Sequence, residues 1–160
     1  MVLSCMYRSD NGICIHIFLL KDNIMNGILL ISHGNYADEL KKSLKMIAGE
    51  VENIYSVGLD FSDGPDEFKE KLQNLEPKLN MYSNVIVFSD LLGGSPSNTA
   101  FQYFLKKGHY QFIAGMNFPM VLSTILENAQ DPNYIINVGK DSIIDLRKFS
   151  ENMLSCDDED

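Results

Sequence analysis

Cysteine is scarce in this chain. The three that occur, Cys5, Cys14 and Cys156, all lie near the chain ends. An odd number outside the regular body does not make a disulfide framework, so a reducing, cytoplasmic setting is expected. Long apolar runs are missing as well. No stretch reaches the roughly 18 consecutive apolar residues that read as a membrane span. Basic residues are in the minority: 13 Lys and Arg against 22 Asp and Glu give a formal net charge of -9. Nucleic-acid binding needs a basic face, and none is visible. The acidity suits solubility, or a partner with a basic docking surface. Nucleotide-binding signatures are absent too: there is no G-x-x-x-x-G-K-S/T loop, and no G-x-G-x-x-G follows a strand pattern. No Cys or His pair has zinc spacing, so neither a metal nor a cofactor is expected. There is no repeat, no low-complexity tract and no linker that splits the chain.

What is present reads as one domain, since 160 residues can bury a sizeable core without staples. Residues 1–24 read as an appended leader of an upstream start. Ile13–Leu20 is apolar but short, and Lys21-Asp22-Asn23 follows where a signal peptide would need small residues. The regular pattern restarts at Met25 and gives a domain over 25–154, with a frayed acidic tail over 155–160.

Within the domain strands and helices alternate. Gly27–Ser32 is a nearly continuous apolar run, as in a strand covered on both faces. A helix follows from Tyr36, with Ala37, Leu40, Leu44 and Ile47 at helical spacing and Gly49 as its cap. Asn53–Leu59 is a second strand. Pro65 opens a helix whose buried stripe is Phe68, Leu72, Leu75 and Leu79. Asn84–Ser89 is a third strand. Ser95 as N-cap and Pro96 begin a helix that runs to about Lys107. Tyr110–Ala114 is a fourth strand, a helix from Pro119 to Asn128 follows, Tyr134–Val138 is a fifth strand, and a last helix spans Asp141 to about Leu154. The class is α/β: a mostly parallel, doubly wound sheet with right-handed crossovers.

In such sheets chemistry collects beyond the C-terminal strand ends, where the strand order reverses. Two polar clusters stand there: Ser32-His33-Gly34 after the first strand, and Asp90 to Ser95 after the third. With a strand order of 2-1-3-4, His33 and Asp90 face one another across neighbouring strands, which lie about 4.8 Å apart. An imidazole is a good nucleophile near neutral pH. A carboxylate that accepts the hydrogen of one ring nitrogen fixes the tautomer and frees the other nitrogen. Gly34 leaves room for a phosphoryl group. Gly93, Gly94 and Ser95 open a helix, where free N–H groups make an anion site. Taken singly each feature has a blander reading, as a solvated histidine, a turn aspartate or a helix cap. His16 and His109 have no such neighbours and read as non-functional. A hydrolase built on Ser95 fails because Ser97 stands where the G-x-S-x-G elbow needs Gly. A phosphoryl acceptor with no ATP site implies that the phosphate arrives on another molecule.

Three segments together resemble a known family: Ile28 to Gly34, Phe88 to Asn98, and Ile113 to Met120. Over Asn26 to about Pro132 the chain is similar to the IIA component of the mannose/fructose/sorbose class of bacterial phosphotransferase systems. That resemblance implies a flavodoxin-like sheet and a homodimer, in some members with a C-terminal strand exchanged, so that a fifth edge strand is antiparallel or donated by the partner. It implies that His33 is phosphorylated by phospho-HPr on Nε2 with Asp90 on Nδ1. It implies that the group then passes to a IIB component, which phosphorylates a sugar with the membrane IIC and IID components. Ser95 matches the family's phosphate-contacting serine, and Asn117 and Pro119 match a loop flanking the pocket. Departures are Leu92, where an aromatic is common, and a poor match after Pro132. The same fold also serves as a phosphocarrier subunit of dihydroxyacetone kinases, and an anion-binding regulatory module is a further alternative.

Overall fold

The computed structural model describes residues 25–150, together with the backbone of two short strands nearer the N-terminus. Those two, β1 (Met6–Arg8) and β2 (Cys14–His16), pair antiparallel with Met6 opposite His16. The rest of the expected leader and the acidic tail lie outside the described residues. The main sheet has four parallel strands, β3 (Gly27–His33), β4 (Ile54–Leu59), β5 (Val85–Ser89) and β6 (Tyr110–Ala114), in the order β4-β3-β5-β6. This is the flavodoxin-like order expected from the sequence.

Among the described residues the helices that cover the sheet are α1 (Tyr36–Ala48), α2 (Pro65–Leu79), α3 (Ser95–Phe104), α4 (Phe118–Glu127) and α5 (Pro132–Asp141). Successive strand residues point to opposite faces. Ile28, Leu30, Ile86 and Phe88 therefore face α1, α4 and α5, where they meet Leu40, Leu44, Met120, Val121 and Ile135. Leu29, Ile31, Val85 and Val87 face the other way, onto Phe68, Leu72, Ala100 and Phe104 of α2 and α3. The two central strands are buried on both faces, which is why they read as unbroken apolar runs.

At the N-terminal end of the sheet four asparagines tie the strand starts together. Asn26, itself buried, donates from Nδ2 to the carbonyls of Asn128 (3.3 Å) and Ala129 (3.0 Å) and accepts at Oδ1 from Asn84 Nδ2 (2.9 Å). Its own carbonyl accepts from Asn53 Nδ2 at 2.5 Å. Asn128 ends α4 in the left-handed region, with φ 49°, which asparagine tolerates better than most residues.

Three expectations need correction. Tyr134–Val138 is not a strand but the middle of α5. Asp131 caps that helix by accepting from Asn133 N at 3.0 Å, and Pro132 opens it. Ile135 and Gly139, one turn apart, are its buried positions. Gly139 lies so close to Met120 that a side chain there would overlap it. Among the described residues the main sheet therefore has no fifth strand. The last helix does not begin at Asp141, which ends α5; helical structure resumes at 146–150, with Asp145 accepting from Arg147 N at 3.1 Å. Finally, α3 is capped by Gly94, and Ser95 is its first helical residue.

Candidate active site

β3 and β5 are neighbours, and the crossovers leave them in opposite directions, so a crevice opens beyond Ser89 and Ile31. Asp90 follows Ser89 directly, and its N–H donates to the Ile31 carbonyl at 3.2 Å. One carboxylate oxygen of Asp90, Oδ2, accepts both the backbone N–H of His33 (2.9 Å) and ring Nδ1 (2.9 Å). The other, Oδ1, accepts Leu91 N–H at 2.7 Å. A carboxylate only accepts, so Nδ1 carries the hydrogen, and in the neutral ring Nε2 then keeps its lone pair. The Asp90 side chain is 18% exposed and that of His33 47%. The carboxylate is thus sheltered while the imidazole faces solvent, and Nε2 has no hydrogen-bond partner among the described residues.

Glycines shape the space around the ring. Gly34 turns the chain with φ 51°, a left-handed value that favours glycine. Its N–H donates to Leu59 O at 2.8 Å. Gly94 passes so near the imidazole that a Cβ there would sit 2.7 Å from Cε1 and 3.3 Å from Nε2. Gly93 turns with φ 77° just before it. Ser32 is buried; its hydroxyl accepts from Ala37 N at 2.8 Å and donates to Gly34 O at 3.3 Å.

The start of α3 faces the same crevice. Its first main-chain bond runs from Asn98 N to Gly94 O at 2.9 Å, so the N–H groups of Ser95 and Ser97 precede the helical ladder. The Gly94 N–H itself turns toward Leu91 O at 3.3 Å, so Gly94 contributes room more than a donor. The Ser95 side chain is exposed. The first turns of α1 and α2 carry Asp38, Glu39, Asp66 and Glu67, whereas those of α3 and α4 carry no acid. A phosphate at α3 would meet the positive helix end without repulsion.

Asn117 and Pro119 begin α4. Asn117 Oδ1 accepts from Met120 N (3.1 Å), and its Nδ2 donates to Gly139 O (3.0 Å), so this residue spends its side chain joining α4 to α5. His109 sits at the opposite, N-terminal end of β6, tilted against Tyr110, with no part in the crevice. Gly58 was not singled out by sequence. It lies in β4 against the Gly34 carbonyl, and a Cβ there would overlap that oxygen. A glycine inside a strand pattern is the signal that marks such a close approach. Grooves of about 410, 390 and 500 Å³ elsewhere on the surface are lined by other residues.

A parallel doubly wound sheet with an imidazole–carboxylate pair and a helix N-terminus at its switch point defines a flavodoxin-like protein with a candidate site at that point. Comparison with known proteins gives the particular family. Residues 27–133 match the family described as PTS system fructose IIA component, and the chain belongs to that family. The mannose-specific EIIAB component of Escherichia coli is 33% identical over 107 residues, covering 67% of this chain but 33% of the relative. The chain thus spans about a third of the length of that relative. The sorbose-specific EIIA component of Lacticaseibacillus casei is 30% identical over 96 residues, covering 59% of this chain and 68% of the relative. Among solved structures, the PTS IIA protein associated with the fucose utilization operon of Streptococcus pneumoniae superposes with a TM-score of 0.72 at 28% identity, covering 78% of this chain and 96% of that one. No helix among the described residues is long and apolar enough to cross a membrane.

Proposed function

We propose that His33 is the phosphocarrier residue, taking a phosphoryl group from phospho-HPr on Nε2 and passing it to a histidine of a IIB component. The observation that carries this reading is the 2.9 Å bond from ring Nδ1 to Asp90 Oδ2, with Nε2 left open. The Nε2 lone pair attacks phosphorus, the N–P bond of the donor breaks, and the donor imidazole leaves with the electron pair. The ring of His33 then carries positive charge while Nδ1 keeps its hydrogen. The Asp90 carboxylate balances that charge, as the aspartate of a catalytic triad does. The N–H groups of Ser95 and Ser97 and the positive end of α3 are placed to steady the phosphoryl oxygens. In the second transfer His33 is the leaving group and returns neutral.

The surroundings favour a protein partner. Leu91 and Leu92 beside the site are 58% and 83% exposed, and Phe61, after β4, is fully exposed. Apolar side chains of this size on open ground mark contact surfaces. The sugar is then phosphorylated by IIB together with membrane IIC and IID components, with the chain acting in the cytoplasm as a homodimer.

Incubation with phosphoenolpyruvate, enzyme I and HPr should give one acid-labile phosphate per chain. His33→Ala should abolish it. Asp90→Asn should slow labelling by about tenfold to a hundredfold without unfolding the protein, because the charge that balances the ring is lost. Labelling that persists in His33→Ala overturns the assignment.

A further inference from the structure

The turn that presents His33 is held from two sides. On one side stands Asp90. On the other stands the end of β4, an edge strand with no outer neighbour among the described residues. What replaces that neighbour is Lys71, reaching over from α2. Its Nζ donates to the Gly58 carbonyl (3.1 Å), to Asp60 Oδ2 (2.6 Å) and to Asp63 Oδ2 (2.6 Å). An ammonium group has three hydrogens, and three acceptors take them. The loop between those acceptors closes on itself: Asp63 N–H donates to Asp60 O (3.0 Å), and Asp60 N–H to Asp63 Oδ2 (3.1 Å).

An exposed ion pair contributes little to stability, and Asp60 is 54% exposed. Lys71 differs in what it fixes. One of its acceptors is the main-chain carbonyl of Gly58, the residue pressed against Gly34 O. The next carbonyl, Leu59 O, holds Gly34 N–H at 2.8 Å. Gly34 is therefore bonded at its N–H by Leu59 and lies with its C=O close against Gly58, two residues adjoining the lysine clamp, and Gly34 follows His33 directly. We propose that Lys71 is a positioning residue for His33, acting through Gly58 and the Asp60–Asp63 loop. Its role in transfer rests on the phosphocarrier reading; its effect on the ring does not.

The test compares Lys71→Met, which keeps the apolar stem, with Lys71→Arg. Two readouts are needed. In the unphosphorylated protein the ring ¹⁵N signals of His33 report which nitrogen carries hydrogen and how uniformly. Steady-state transfer from phospho-HPr separates kcat from KM. For Lys71→Met we expect the Nδ1–H population to become mixed and kcat to fall about tenfold, short of the roughly hundredfold of a full 1 Å misplacement. KM should change far less than kcat, since Phe61 stays exposed on the loosened loop. Lys71→Arg, which can still bridge two carboxylates, should restore the ring signals and bring kcat within about threefold of wild type.

A folded Lys71→Met with wild-type ring signals and kcat overturns the proposal. A rise in KM alone also overturns it, assigning Lys71 to docking through the neighbouring Phe61. Should Lys71→Met not fold, Asp63→Asn weakens the same clamp and must shift the ring signals in the same direction. Should HPr fail to label even the wild type, the phosphocarrier reading falls, while the ring signals still decide for or against Lys71.

Discussion

Replacing Gly94 by alanine adds a single methyl group at the most sensitive place in the site. That carbon would lie 2.7 Å from Cε1 of His33 and 3.3 Å from Nε2. Carbon atoms rest about 3.5–4.0 Å apart, so ring and methyl must separate by about 1 Å. The ring cannot give way cheaply, because the 2.9 Å bond from Nδ1 to Asp90 holds it on the other side. A misplacement of about 1 Å costs on the order of a hundredfold in rate, or about 2.7 kcal/mol of barrier. The fold should not suffer. Gly94 has φ -66° and ψ 159°, extended values that alanine adopts, and such exchanges gain about 0.4–1 kcal/mol through the unfolded state. Single-turnover transfer from phospho-HPr, followed by rapid quench, should therefore slow about a hundredfold while the melting temperature stays level or rises. Gly93→Ala is the control. Its φ of 77° resists a side chain, but a Cβ there meets open space, so stability should fall by about 1–2 kcal/mol with no direct push on the ring. Transfer by Gly94→Ala at near the wild-type rate would mean that the imidazole is not held where the structure places it, and the argument from ring geometry would fail.

Two further outcomes concern stability. Asn26→Ala strips partners from Asn84 Nδ2 and from the carbonyls of Asn128 and Ala129. These groups are part-buried, and an unmet buried group costs about 1–3 kcal/mol, so urea unfolding should show a loss of about 1–3 kcal/mol in all; no measurable loss would mean that water satisfies the cluster. Glu76 accepts from Lys107 and from the Tyr103 hydroxyl, and these bonds, Lys107 first, hold its carboxyl below its ordinary value of 4.5. A folded pKa below the unfolded one contributes stability above the unfolded value and loses it as pH falls through the folded value. Acid titration of unfolding should thus show stability declining below about pH 4.5. Glu76→Gln should weaken the protein at neutral pH and converge with wild type in strong acid. Parallel curves for the two would refute that assignment.

The central strands were legible because burial on both faces leaves no room for polar residues: Ile28–Ile31 and Val85–Phe88 announce themselves. The site pair was legible for the complementary reason, since neither His33 nor Asp90 serves the local pattern in which it stands. The segment 134–138 misled because Tyr134, Ile135, Ile136 and Val138 favour strands locally, while packing of Ile135 and Gly139 against α4 decides for helix. The stronger signal was Asp131-Pro132, a cap and a first turn. Ser95 misled in a smaller way: Gly94 takes the cap in an extended conformation, which leaves the serine as the first helical residue. Gly58 and Lys71 escaped notice because their importance is a matter of contact across strands, which spacing along the chain does not encode.

With Nδ1 committed to Asp90, the imidazole offers the outside world one nitrogen through one opening. On the proposed phosphocarrier reading, cargo would have to enter and leave by that door, so supplier and recipient could not stand at it together. The two clients would then be served in turn, and an excess of the unloaded form of either one would block the threshold for the other.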